Sequence, residues 1–453
     1  MATQSTSLVS LQDPIDVSLS DIESELQKIW LAQSPNGDSQ AVPVATRAAT
    51  FSLVVYDSDD TQQLLSRLGF YSGPIDGIAG PRMTAALKAA QAHYGLPVTG
   101  ERDAATLDHL RQEYARKQAG DFEGIGERYA ADIRSGGVAD VIASQNPCRV
   151  IALCPTLGPD TGVTAQVAAY CPIKKQSRSS LICCEYITLQ GTTEALGRVA
   201  ELIPSLAIGD LPKFLWWKGG LDSNPELLTT IAPLFDSIIV DSSEFTQPIT
   251  DLRQVAELIA KDLPIADLNW RRLGAWQELS AEAFDPPERR AAIHEVDRVT
   301  VDYEKGNPAQ ALLFLGWLAS RLKWQPTEFK VESGDYEIYQ IQLLGADQRV
   351  IEAELAGIPT GDRGEIIGDL IDLKLASTNL KADCSTIICS ETRGCMRMES
   401  GGGAQVAKTY QVNPLSEQTA EVLLSQQLQR WGQDLLYEES FLIVRQILDL
   451  IES

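Results

Sequence analysis

The chain of 453 residues carries 62 acidic and 38 basic side chains, a formal net charge of −24, and 44% hydrophobic residues. This length predicts two to three domains with sizeable cores. So acidic a surface repels nucleic acid and anionic membranes, which excludes both as partners.

The N-terminal stretch "MATQSTSLVSLQDPIDVSLS" has neither a positive n-region nor an apolar h-region, so a cytoplasmic location is expected. No segment reaches the roughly 20 apolar residues of a membrane span; "ALLFLGWLA" (residues 311–319) reads as a buried helix. A capping box, Ser20 with Glu23, opens a helix whose apolar face is Ile22, Leu26, Ile29 and Trp30. "TFSLVVY" then predicts a buried strand. "TQQLLSRLGF", "SGPIDGIAG", "RMTAALKAAQAHYG" and "DAATLDHLRQEYARK" predict three short helices, the first two joined by a glycine-rich turn at Asp76-Gly77.

From about residue 121 the pattern alternates. "RVIALCP", "AQVAAYC", "SLICCEYITLQ", "KFLWWKG" and "SIIVDSS" are strand candidates among helical stretches such as "TDLRQVAELIAKDL", which predicts a mostly parallel, covered sheet. A helical stretch is expected from "LNWRRLGAWQELSAEAF" to "PAQALLFLGWLASRLKW". Beyond Thr327, seven strand candidates without intervening helices predict an antiparallel sheet, and two helices close the chain. The fold class is therefore α/β and α+β multidomain: a mostly parallel α/β domain carrying an inserted three-helix module, then a helical connection and an antiparallel-sheet α+β domain. The boundaries fall at 1–57 (first helix and strand), 58–118 (the module), 119–265 (the α/β domain) and 266–453 (the α+β domain).

Catalytic patterns are missing. "SGGGAQVAKT" has Ala407 where a phosphate-binding loop needs glycine, and "EGIGERY" follows no strand. His294 is the sole histidine outside the module, and no acid–base couple stands out among the carboxylates. With three histidines and no CxxC pair, neither a metal nor a cofactor is expected, and the chain reads as a non-enzyme.

Two aromatic stretches, "LPKFLWWKGGL" and "LNWRRLGAW", offer Trp216, Trp217, Lys218, Trp270, Arg271, Arg272 and Trp276 as a partner surface or its support, since Trp and Arg are enriched at interface hot spots. The competing reading is a tryptophan-rich core. Among eight cysteines, Cys148 and Cys154 flank a strand and stand too far apart to bridge, while Cys183 and Cys184 read as core thiols on opposite faces. Cys389 and Cys395 flank a turn in "CSETRGC", where a hairpin would bring them together; Cys384 is an alternative partner. Closing that loop would stabilise by only about 2 kcal/mol, and Arg393 and Arg397 would favour a reactive thiolate.

The stretch 62–110, in "LGFYSGPIDGIAG", "AALKAAQ", "YGLPVTG" and "AATLDHL", resembles the peptidoglycan-binding-like three-helix domain, although Ala90 and Met83 replace the aromatic and threonine usual there. On that module alone, the implied function is a peptidoglycan-binding, wall-associated protein. The remainder, in "ATRAATFSLVVYD", "NPCRVIALCPT", "LPKFLWWKGGL", "DLNWRRLGAWQE" and "CSTIICSETRGC", resembles the OpcA family of glucose-6-phosphate dehydrogenase assembly proteins, in the form found in oxygenic photosynthetic bacteria. That resemblance makes residues 119–265 and 266–453 the family's N-terminal and C-terminal domains. It implies a non-catalytic allosteric activator that binds glucose-6-phosphate dehydrogenase, promotes its active oligomer and raises its substrate affinity. It also implies thioredoxin as a second partner, acting on Cys389 and Cys395 with Cys384 nearby, so that the activator works when oxidised and loses effect when reduced.

Overall fold

The computed structural model describes residues 8–32, 45–47, 50–57, 61–71, 81–100, 102–118, 148–156, 159–172, 181–287, 289–333, 336–359, 366–379, 383–390, 395–402, 409–414, 419–430 and 432–451. Two compact units emerge. One draws on Met1–Lys218, Ser223–Ile238 and Leu424–Trp431, the other on Gly219–Asp222, Ile239–Leu423 and Gly432–Ser453. Among the described residues no helix is long and apolar enough to cross a membrane.

The first unit is built on strands β1 (Leu8–Val17), β2 (Ala45–Arg47), β3 (Ser52–Asp57), β4 (Arg149–Pro155), β5 (Thr164–Pro172), β6 (Leu181–Gly191) and β7 (Lys213–Lys218). Their order is β1-β5-β6-β4-β3-β7, with β2 paired to β6. The neighbours β6, β4, β3 and β7 run parallel. Their continuous apolar runs, such as Leu53-Val54-Val55 and Val150-Ile151-Ala152, are buried throughout, as strands covered on both faces require. From β3 the chain steps outward to β4 and β6, then returns to place β7 on the other side of β3. That reversal of strand order is the switch point of doubly wound sheets.

Two strands depart from the expected parallel pattern. β5 pairs antiparallel with β6, and β1, which carries no strong apolar alternation, adds antiparallel to β5. A buried ion network locks the helix Ile22–Ala32 to this sheet. The Arg149 guanidinium donates to Glu185 at 2.7 Å, to the Leu206 carbonyl at 2.6 Å and to Glu23. Trp30 donates to the same Glu185 at 2.6 Å. With every donor aimed at an acceptor, burying these charges is tolerable.

The helices Thr61–Leu68, Pro81–His93 and Ala104–Gln118 surround their own small core of Leu65, Leu68, Phe70, Leu87, Ala90 and Leu110. Gln91 is the module's buried polar hub. Its amide donates to Thr99 at 3.0 Å and Thr106 at 3.1 Å, and its carbonyl accepts from the Gly100 N–H at 2.8 Å.

The second unit is dominated by strands after residue 297; β8 (Ser237–Val240) and β9 (Ile265–Asp267) precede them in the chain. β10 (Arg298–Glu304), β11 (Gln325–Ser333), β12 (Glu337–Leu344), β13 (Val350–Ile358), β14 (Leu370–Ala376), β15 (Asp383–Ser390), β16 (Cys395–Gly402) and β17 (Thr409–Pro414) form an eight-stranded sheet in the order β11-β12-β13-β10-β14-β15-β16-β17. The stretch expected to be helical from residue 268 to 324 is interrupted by β10, which inserts centrally, parallel to β13 and antiparallel to β14. Its alternation, Val299, Val301, Tyr303 buried, is the period-2 signal of a one-faced strand.

The helix Ala309–Leu322 is buried over most of its length and packs against Leu435–Leu450. Contact is made at Gly316, where a Cβ would lie 2.7 Å from the Ser440 carbonyl oxygen and 2.6 Å from a Val444 methyl. Only glycine lets the two backbones approach so closely.

Candidate functional site

Open sheets of the first unit's topology bind ligands at the carboxyl ends of the strands flanking the switch point. Here those ends belong to β3 and β7, whose last side chains pair with one another. Register sets Tyr56 beside Trp217 and Asp57 beside Lys218. The rings of Tyr56 and Trp217 stack at 3.8 Å with 7° between planes. Lys218 pairs with Asp57 at 3.0 Å and sits 5.1 Å from the centre of the Trp216 ring. Burial first, and then Asp57, raise the Tyr56 phenol above its ordinary range against hydrogen bonds from Ser223 and Asn224. A doubly wound dinucleotide site carries a glycine-rich phosphate loop after its first strand. From the end of β3 this chain reads "DSDDT", three carboxylates and no glycine, which repels a pyrophosphate. That signal was available in the sequence, but only the strand order gives it meaning.

The second unit contains a buried polar layer. Arg272 clasps Asp241 through both guanidinium nitrogens, at 2.7 and 2.8 Å. Asp267 caps the helix Leu268–Arg272, its Oδ1 accepting from the N–H groups of Asn269 at 2.9 Å and Ser242 at 3.0 Å. Asn307 donates to the Ser242 carbonyl at 2.8 Å, and Gln310 bridges Asn269 at 2.9 Å and Asp369 at 2.8 Å. Burial pushes the Asp241 carboxyl up, but Arg272 outweighs it and holds the group below the ordinary range. At Asp267 burial and then Asp241 prevail over the hydrogen bonds from Ser242 and Asn269 and raise the pKa to about 6. Its Oδ2 and the buried Tyr437 hydroxyl have no hydrogen-bond partner among the described residues. The layer ties the turn at Asp241–Ser243 to the helices that begin at Leu268 and Ala309.

The aromatic candidates are core residues. Trp216, Trp217, Trp270, Trp276 and Arg272 are each at most 5% exposed. Lys218 and Arg271 are half-buried. The four tryptophans therefore pack inside the fold and not at its surface. Apolar rings beside cations satisfy a buried ion pair as readily as an interface, which is why composition could not separate the two.

The cysteines divide three ways. Cys183, expected to be a core thiol, is instead joined to Cys171 in a disulfide, with sulfurs 2.02 Å apart. The β5–β6 register sets Cys184 opposite Tyr170, so the next pair along brings Cys183 to Cys171. Cys148, Cys154 and Cys184 are buried and are not joined in a disulfide. The hydrogen bond with Cys184, then burial, pushes the Cys148 thiol well up, which makes it unreactive. Cys384 and Cys389 lie on β15 and Cys395 on β16. These strands pair antiparallel as a hairpin would, but the backbone register corrects the expected meeting of the two cysteines: Cys389 lies opposite Met396 and Cys395 opposite Ser390, one position out of step with each other. The side chains of the three cysteines, and residues 391–394 between the strands, lie outside the described residues, as do "EGIGERY" and Ala407. No cluster of three or more metal-ligating side chains occurs among the described residues.

Family models cover this chain in three parts. Residues 263–441 match the C-terminal domain, and residues 139–257 the N-terminal domain, of what is described as a glucose-6-phosphate dehydrogenase subunit. Residues 57–110 match a peptidoglycan binding domain. Relatives called OxPP cycle protein OpcA are similar from end to end. The Nostoc punctiforme protein is 57% identical over 99% of this chain and 97% of its own. That of Synechocystis is 52% identical over 100% and 95%, and that of Synechococcus elongatus 47% over 98% and 98%.

Proposed function

Because the chain belongs to the OpcA family of glucose-6-phosphate dehydrogenase subunits, we propose that it is a non-catalytic partner that assembles and allosterically activates that dehydrogenase under thioredoxin control. The observation that carries the reading is the similarity along nearly the whole of both chains, with both family domains matched. The sequence after β3 supports the non-catalytic part: "DSDDT" offers three carboxylates and no glycine where a doubly wound nucleotide site carries its glycine-rich phosphate loop.

Activation requires that the chain bind the active form of the enzyme better than the inactive one, since only differential affinity moves an equilibrium. A coupling of about 1–3 kcal/mol changes substrate affinity roughly 5- to 150-fold. Redox control falls on Cys389 and Cys395 with Cys384 nearby, in the β15–β16 hairpin. The test is the dehydrogenase's KM for glucose 6-phosphate with and without this chain, oxidised or reduced by thioredoxin, beside Cys389→Ser. A lowered KM that is lost on reduction, and absent in the variant, is expected. Activation indifferent to reduction would remove the switch, and no activation in any state would remove the function. The wall-binding alternative rests on residues 57–110 alone, and a peptidoglycan pull-down decides it.

A further inference from the structure

The Cys171–Cys183 disulfide lies where four strands meet. Register carries a line straight across the first sheet there: Val9 of β1 stands opposite Cys171 of β5, then come Cys183 of β6 and Arg47 of β2. Both half-cystines are buried, at 1% and 0% exposed. Each of the two N-terminal strands thus pairs with the backbone of one half-cystine. The helix Ile22–Ala32, which lies between them in the chain, packs against β5. Arg47 pairs with Glu185 at 2.8 Å and so ties the same end to the buried Arg149 network.

Two features make this bond a local clasp and not a brace of the fold. It joins residues only 12 apart in the chain, and short loops gain least from closure. The strands it joins are already paired from Thr164 opposite Gln190 to Tyr170 opposite Cys184. Opening the bond leaves that ladder standing and loosens its last step, where β1 and β2 attach. Access is controlled by β1. This edge strand contains Pro14, breaks register twice against β5, and has no fully buried side chain from Leu11 to Val17. A strand held so weakly opens locally, well short of global unfolding. The neighbouring thiols are turned away: Cys184 follows Cys183 and so takes the opposite face, where it hydrogen-bonds Cys148. A reductant therefore has to come from outside.

We propose that Cys171–Cys183 is a second thiol–disulfide exchange site, opened by lifting β1 and reduced by an external dithiol, and that its reduction loosens β1 and β2 at this end of the sheet. One thiolate of the dithiol attacks a half-cystine sulfur, and its partner thiol resolves the mixed disulfide. Two electrons and two protons pass from the dithiol, which ends as a disulfide, to Cys171 and Cys183, which end as thiols. The inference adds a site to the thioredoxin control of the proposed function and rests on that reading only in taking thioredoxin as the dithiol.

The experiment treats the folded, oxidised full chain with reduced thioredoxin, alkylates the thiols at timed intervals and locates the tags by peptide mass spectrometry. Wild type is compared with Val9→Pro/Ser10→Pro. Successive N–H groups of a strand alternate between partner and solvent, so these two prolines must remove a ladder hydrogen bond beside Cys171. Wild type is expected to gain tags on Cys171 and Cys183 without denaturant, and the proline variant about tenfold faster. Hydrogen exchange of Leu8–Val17 should be about tenfold faster in the reduced chain, and in Cys171→Ala/Cys183→Ala, than in the oxidised chain, with β3 and β7 unchanged. A bond that yields only once urea unfolds the chain would overturn the proposal. Equal reduction rates in the proline variant, or unchanged exchange in β1 after reduction, would do the same. Loosening that spread to β3 and β7 would also sink it, by making the bond a brace of the whole sheet. The KM assay on the same samples keeps the two readings apart. Reduction as expected without activation in any state would remove the dehydrogenase function and leave this site; activation with an irreducible bond would do the reverse.

Discussion

Replacing Asp267 by asparagine should make this protein more stable at neutral pH and leave it unchanged in acid. The carboxyl is 2% exposed, and only its Oδ1 is hydrogen-bonded, to the N–H groups of Ser242 and Asn269. Its pKa of about 6, against an ordinary 3.8, arises from burial and then from Asp241. At ~1.4 kcal/mol per pH unit, that difference makes the ionised form cost about 3 kcal/mol in the folded protein at neutral pH. Because the folded pKa is the higher one, the stabilising contribution is complete below pH 3.8 and is lost as pH rises through about 6; above that the penalty is constant. Asparagine keeps the Oδ1 acceptor and the helix cap while removing the charge. Its amide N–H groups need partners, so a net gain of ~1–3 kcal/mol is expected near neutral pH. Urea unfolding of wild type and Asp267→Asn across this pH range reads the difference directly. The gap should close as pH falls toward 4. A variant less stable than wild type by the same amount at every pH would show that hydrogen bonding, not charge, governs this position.

Two further substitutions test the packing. Gly316→Ala puts a methyl 2.7 Å from the Ser440 carbonyl and should destabilise by about 1–3 kcal/mol, read as a lower urea midpoint; an unchanged midpoint would mean that the two helices part freely. Trp217→Ala removes a fully buried ring from the Tyr56 stack and should cost about 3–5 kcal/mol. Any loss of activation by that variant should follow its loss of folded protein; a stable but inactive variant would return Trp217 to the partner surface.

Elements whose signals are local could be read without the fold. Pro81 and Gly95 bound a helix because one fixes φ and the other accepts a positive φ of 69°. The runs of β3, β4 and β7 read as buried strands because coverage on both faces leaves no polar alternation. The hairpin of β15 and β16 was legible from a turn between two apolar stretches. Features that depend on partners distant in the chain needed the tertiary structure. Cys171 and Cys183 are joined because β5 runs antiparallel to β6, and no spacing rule encodes a strand's direction. β10 lay hidden between helices until the sheet supplied neighbours on both sides. The tryptophans and Arg272 looked the same as core or as interface, because both environments ask for large rings beside a well-paired cation; only the fold showed Asp241 waiting for Arg272 and Tyr56 for Trp217. Asp302 and Asp372, seventy positions apart in an acidic chain, became a pair only through register, since cross-strand electrostatics arise where backbones meet and not where residues follow one another.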